Sequence, residues 1–217
     1  MIDNDYKKWI SLVEVGVAST GLVVFALFIH LKSVVPFSLA ILGLLLALIA
    51  SGKGIIETIN LCEFFGLNVW TKKIFFYLTI GILIFTVGGI FYRIHSCRQV
   101  LPVTLTYVAF VSAIIGITEE LFYRGYVQGT ACRYSAIIGI AITGFSHTAY
   151  KIALFVLPPF PIQIDYNFFI LYTLIGNLIL SILREFAKNS FPSICAHAVF
   201  DIVVYGDFTD VPWWVWS

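Results

Sequence analysis

Glu119, Glu120 and Arg124 stand in a run, Gly116 to Tyr126 (GITEELFYRGY), made otherwise almost wholly of apolar residues and glycine. Ionisable groups next to lipid cost at least ~2.5–3.5 kcal/mol each on insertion scales, so such groups are functional candidates by default. Glu120 and Arg124 are four apart with the carboxylate first, the favourable order for a helical ion pair. They are read as a structural pair. Glu119 points ~100° away on a helix and is the carboxylate left for chemistry. Two further polar sites follow. His147 (Gly144-Phe145-Ser146-His147) lies within an apolar stretch, and His197 and Asp201 (HAVFD) share one face of a short helix at i,i+4. Carboxylate plus imidazole is the equipment for activating water, or for holding a metal that does so.

These residues must be positioned by membrane helices. The chain has 217 residues, 60% hydrophobic and 12% charged, where soluble domains carry roughly 25% charged. The fold class expected is all-α, a polytopic membrane bundle of about seven (six to eight) transmembrane helices. At about 20 apolar residues per span, the candidates are Leu12–Leu31, Val34–Ala50, Ile74–Tyr92, Val100–Thr118, Ala136–Leu157, Asn167–Leu183 and a short Pro192–Tyr205. The first follows Lys7 and Lys8 but lacks an A-x-A cleavage site, so it reads as a span and not a signal peptide. Gly54–Trp70, with Glu57, Asn60, Glu63 and Asn68, reads as interfacial or as part of the third helix. Pro158, Pro159 and Pro161 mark a tight loop, and Pro212–Trp216 suits a membrane–water boundary.

Lys7, Lys8, Lys53, Lys72, Lys73, Arg124, Arg133, Arg184 and Lys188 fall on one side of this topology, and Lys32, Arg93 and Arg98 on the other. Lys151 lies within a span. The positive-inside rule then puts the N-terminus in the cytoplasm. Glu119, Glu120 and Arg124 fall at the cytoplasmic end of the fourth span, with His147, His197 and Asp201 reachable from that side. A net charge of +1 excludes a basic nucleic-acid surface. Cys62, Cys97, Cys132 and Cys195 are scattered and read as small packing residues. No His-Glu-x-x-His supports a zincin, and no inverted repeat supports a transporter.

The ordered set Glu119-Glu120-x-x-x-Arg124, His147 and His197-x-x-x-Asp201 resembles the CAAX protease and bacteriocin-processing (CPBP, or Abi) family of intramembrane endopeptidases, which includes the type II CAAX prenyl endopeptidases. The resemblance covers Val100 to Tyr205. It implies a division into residues 1–99, membrane helices of unassigned role, and 100–217, a CPBP-like catalytic core, within a single membrane domain. It implies hydrolysis of a peptide bond in a membrane-bound or lipidated, CAAX-type peptide. The alternative is a non-catalytic CPBP-like protein acting in partner binding or bacteriocin self-immunity. Glu119 would be the general base, His147 would hold the water, and His197 and Asp201 would line the oxyanion site. The preferred reading requires no cofactor. In a metal-assisted version, matching the metalloprotease label the family often carries, Glu119, His147 and His197 would bind Zn²⁺. The expected partners are the lipid bilayer and the substrate peptide, with no nucleic acid. The expected location is the plasma membrane of a prokaryote or the endoplasmic reticulum membrane of a eukaryote, the site facing the cytoplasm. Two positions depart from the family pattern: Thr143 stands where the second motif usually has Phe, and Asp201 where the third usually has Asn. An ionised carboxylate repels an oxyanion, so Asp201 must be protonated, turned away or a metal ligand.

Overall fold

The structure, a computed structural model, describes residues 2–31, 33–58, 60–156 and 165–212. The three prolines of the expected loop and residues 213–216 of the aromatic tail lie outside them, as does Lys32. Among the described residues every element is helical: α1 (Ile2–Phe28), α2 (Val34–Thr58), α3 (Leu61–Phe64), α4 (Lys72–His95), α5 (Tyr107–Glu120), a π-helical turn (Leu121–Val127), α6 (Gln128–Ala131), α7 (Ala136–Phe155), α8 (Tyr166–Ala187) and α9 (Phe191–Tyr205). Five contain stretches long and apolar enough to cross a membrane, in α1, α2, α4, α7 and α8. The helix Phe191–Tyr205 is apolar but shorter. The protein is an integral, multi-pass membrane bundle.

Large side chains such as Phe75, Phe76, Val87 and Ile137 stand exposed along these helices. That is the pattern of a lipid-facing surface, since hydrocarbon is as good a neighbour for them as protein. Where helices touch closely, small residues make room. A Cβ on Gly21 would come within 2.5 Å of the Gly43 carbonyl oxygen, so α1 and α2 cross nearly backbone to backbone.

The fourth expected span needs correction. Residues 99–106 are not helical, and Thr106 caps α5 by accepting from the Val108 N–H at 3.2 Å. The helix then runs past Thr118, through the π turn, to Ala131. Charges at 119, 120 and 124 were expected to end the span. They do not, because each charge has an opposite charge beside it inside the protein, Arg124 for Glu120 and Lys151 for Glu119, so burial carries no unpaired charge, even though Glu120 Oε2 and Arg124 Nε lack hydrogen-bond partners. The Glu119–Arg124 motif therefore lies mid-rod. In α2 the helix likewise continues beyond Ala50 to Thr58, and Asn60 caps the short α3.

The two ends of the bundle are tied differently. At one end, Asn189 donates to the Val69 carbonyl at 2.6 Å and the Ser190 N–H to that of Gly66 at 2.9 Å. At the other, Arg93 makes a two-pronged contact with Asp207 (3.0 and 2.8 Å) and donates to the Val203 and Val204 carbonyls. Arg98 joins Asp207 at 2.6 Å, and the Thr106 N–H donates to the Gly206 carbonyl at 2.8 Å. This second clasp pins the ends of α4 and α9 and the start of α5 together. Hydrogen bonding by Arg93, then the charges of Arg98 and Arg93, holds the Asp207 carboxyl below its ordinary range against a smaller opposing effect of burial.

Candidate active site

α5 and the π turn, α7 and α9 each bring one of the three motifs to a common centre. Glu119, Glu120, Arg124, His147, His197 and Asp201 are all buried. His147 Nε2 lies 3.2 Å from Glu119 Oε2, and His197 Nε2 lies 3.8 Å from the same oxygen. The imidazole centroids are 5.9 Å apart. Glu119 and Glu120 diverge as helix geometry requires: Glu119 faces α7, whereas Glu120 accepts from Arg124 Nη1 at 2.8 Å and from His197 Nδ1 at 2.9 Å. Glu120 therefore serves two partners, not one. The wide turn beginning at Leu121 follows directly; such π segments are rare and often sit at functional sites.

Proton positions follow from what each partner can do. A guanidinium only donates, and Arg124 Nη1 is in close contact with His147 Nδ1. Nδ1 must then accept, and the neutral ring carries its proton on Nε2, aimed at Glu119. The second Arg124 nitrogen donates to the Asn177 carbonyl and side-chain oxygen at 2.8 and 2.9 Å. Asn177 in turn donates to Thr148 Oγ1 at 3.1 Å. For His197, the Glu120 carboxylate accepts at Nδ1, leaving Nε2 facing Glu119 and Asp201, the latter at 3.7 Å.

Position 143 holds a fully buried Thr, and the aromatic ring against His147 comes instead from Tyr123, stacked at 4.1 Å between centroids. Asp201 is not turned away. It reaches toward α5 over Gly116, where an added Cβ would stand 2.5 Å from Asp201 Oδ2.

Lys151 carries no role in the sequence reading, yet its Nζ donates to Glu119 Oε1 at 2.6 Å. The signal was its spacing: four residues after His147, it shares that face of α7. Asn177, the Arg93–Asp207 clasp and the second contact of Glu120 had no such signal.

Two hollows meet at this centre. A cavity of about 340 Å³ runs from Glu119, Lys151 and Asp201 to Cys97, Arg98 and Asp165 at the clasped end. A mostly apolar groove of about 390 Å³, between α4 and α8, includes Phe85, Gly88, Tyr172 and Phe200 and shares Lys151 and Asp201 with the cavity. Glu119, Lys151 and Asp201 border the cavity, and His197 borders the groove beside Lys151 and Asp201, whereas His147 is fully buried and lines neither.

Residues 100–203 match the model of a family described as type II CAAX prenyl endopeptidase Rce1-like. No curated protein and no solved structure matches the chain. The matched segment, just under half of the chain, carries all three motifs, so over these residues the chain is similar to the type II CAAX prenyl endopeptidases, as the resemblance to the CPBP proteases implied.

Proposed function

We propose that Glu119 activates a water that cleaves a peptide bond in a membrane-anchored, CAAX-type substrate. The observation that carries this reading is the convergence of His147 Nε2 and His197 Nε2 on one oxygen of Glu119, at 3.2 and 3.8 Å. The longer separation exceeds a direct hydrogen bond yet lets one water touch both groups.

Glu119 Oε2 takes a proton from that water, and the hydroxide oxygen bonds to the substrate carbonyl carbon. The carbonyl π pair moves onto oxygen. With Nδ1–H donated to Glu120 and Nε2 facing the carboxylates of Glu119 and Asp201, His197 acts as the imidazolium, and its Nε2–H meets this oxyanion. Glu119 passes its proton to the leaving nitrogen, the C–N bond breaks, and an acid and an amine result. His147 stays neutral throughout because Arg124 occupies its Nδ1; it orients Glu119 and the water. Lys151 sets the other Glu119 oxygen and favours the ionised carboxylate. The substrate's lipid or apolar anchor occupies the α4–α8 groove, which is continuous with the centre.

A Zn²⁺ held by Glu119, His147 and His197 fits these residues poorly. A nitrogen ligand needs a free lone pair, and His147 Nε2 carries the proton that Arg124 denies to Nδ1. A guanidinium and an ammonium also stand beside the would-be cation. We therefore favour metal-free hydrolysis.

One observation favours the non-catalytic reading: Lys151 already neutralises Glu119. The two readings part on one experiment. Purified protein is given a farnesylated peptide ending in a CAAX tripeptide, and products are weighed. Release of the tripeptide by the wild type and not by Glu119→Gln supports hydrolysis; no release, or equal release, overturns it.

A further inference from the structure

The cavity and the groove diverge from shared walls at Tyr92, Lys151 and Asp201. The groove takes the anchor side of the scissile bond. The cavity is left for the other side, the short segment that departs as the amine, and the groups along it decide what that segment must be.

Four basic side chains outside the three motifs line the cavity: Arg93, His95, Arg98 and Lys151. Lys151 is held by Glu119 at the centre, at 2.6 Å. His95 faces Asp165 at 3.3 Å. Arg93 is fully buried and donates to the Gln99, Val203 and Val204 carbonyls and to both oxygens of Asp207. Arg98 differs. Its side chain is 28% exposed, its Nη2 donates to Asp207 at 2.6 Å, and its Nη1 makes only a long 3.5 Å contact with the Val204 carbonyl. Its guanidinium carbon stands 3.9 Å from the centre of the Phe208 ring, a contact that holds the group without using its N–H donors. Two guanidiniums share the one carboxylate of Asp207, so positive charge is in excess there. A guanidinium has five N–H donors, and Arg98 has donors to spare for a second carboxylate.

Helix α9 gives the scale. His197, which meets the oxyanion, and Val204, whose carbonyl touches Arg98, are seven residues apart on it, ~10.5 Å at 1.5 Å per residue. An extended peptide advances about 3.3 Å per residue, so three residues beyond the cleaved bond end roughly 10 Å away.

We propose that Arg98 binds the free C-terminal carboxylate of the substrate, so that the site measures three residues from the end of the chain to the bond it cuts. This rests on the protease reading. The anchor and the rest of the substrate stay on the groove side, and only the last three residues turn into the cavity. Arg98 sets specificity and takes no part in the bond-breaking steps. It precedes the segment that matches the prenyl endopeptidase model, so the contact is a feature of this particular chain. A substrate with an amidated or extended C-terminus is refused.

Binding to the Glu119→Gln protein in detergent, which is slow to cleave, tests this. Three fluorescent farnesylated peptides are compared by anisotropy: a CAAX peptide with a free carboxylate, the same peptide as the carboxamide, and the acid lengthened by one residue. The acid should bind at least tenfold more tightly than the other two. Adding Arg98→Gln should abolish that preference by weakening the acid alone, and Arg98→Lys, which keeps the charge beside Asp207, should keep part of it. A general loss of folding weakens all three peptides alike, so the ratio reports the carboxylate contact. Should Arg98→Gln loosen the clasp and fail to fold, Arg98→Lys supplies the comparison. Equal binding of acid and amide to the Arg98 protein, or an undiminished preference in either Arg98 variant, overturns the proposal. Binding of no peptide overturns the CAAX-type substrate reading and this proposal with it, whereas equal binding of all three overturns this proposal alone.

Discussion

Arg124 faces His147 Nδ1 while His147 Nε2 faces Glu119 at 3.2 Å. A group that can only donate thereby fixes the tautomer of the ring that meets the candidate base. The Glu120–Arg124 ion pair is thus part of the site's proton arrangement as well as of its packing.

Replacing Glu119 by Gln keeps its volume and removes the base. Turnover should fall about 10²–10⁴-fold, the usual worth of a positioned base, with unfolding temperature in detergent close to wild type. A rate assay beside a melting curve checks both halves.

Arg124→Ala should act differently. It strands Glu120, which is fully buried, and breaking a buried pair from one side costs about 3–5 kcal/mol. Reduced folded yield, together with lost activity, is the expected outcome. A well-folded, active Arg124→Ala protein would remove the tautomer argument.

Asp201 lies 3.7 Å from His197 Nε2 and stands where the family usually has Asn. Asp201→Asn should retain activity, since an amide can donate to an oxyanion. Asp201→Leu should lose about tenfold or more in kcat, as expected for one lost contact to the oxyanion region. Steady-state kinetics of the two variants side by side tests this.

Lys151 donates to Glu119 at 2.6 Å from a mostly buried position. Lys151→Met should lower kcat about tenfold or more, while Lys151→Arg preserves much of it; a tenfold change corresponds to ~1.4 kcal/mol. Equal kcat in the Met variant would make Lys151 a bystander.

Asp207 titrates below its ordinary value because Arg93 and Arg98 hold it. For a lowered carboxyl, the stabilisation is complete above the unfolded value, ~3.9, and is lost as pH falls through the folded one. Asp207→Asn should therefore cost roughly 1.5–3 kcal/mol near neutrality and flatten the acid limb of stability. Melting curves from pH 3 to 6 on both proteins measure this.

The residues that converge at the candidate site were legible because the surrounding sequence is so apolar. Each of Glu119, His147 and His197 is conspicuous against hydrocarbon, and the i,i+4 spacings declare shared faces. The extent of the central rod was not legible. A local reading treats charges at 119–124 as a helix end, and only the partners on α7, α8 and α9 explain why the helix continues. The 114-residue separation of Arg93 and Asp207 hides the clasp for the same reason.

Water labelled with ¹⁸O tests the central claim most directly. With the farnesylated CAAX peptide as substrate, the wild type should place one ¹⁸O in the new carboxylate during a single turnover, and Glu119→Gln should do so about 10²–10⁴-fold more slowly. Cleavage without ¹⁸O in that carboxylate, or labelled product from Glu119→Gln at the wild-type rate, would contradict Glu119-activated hydrolysis.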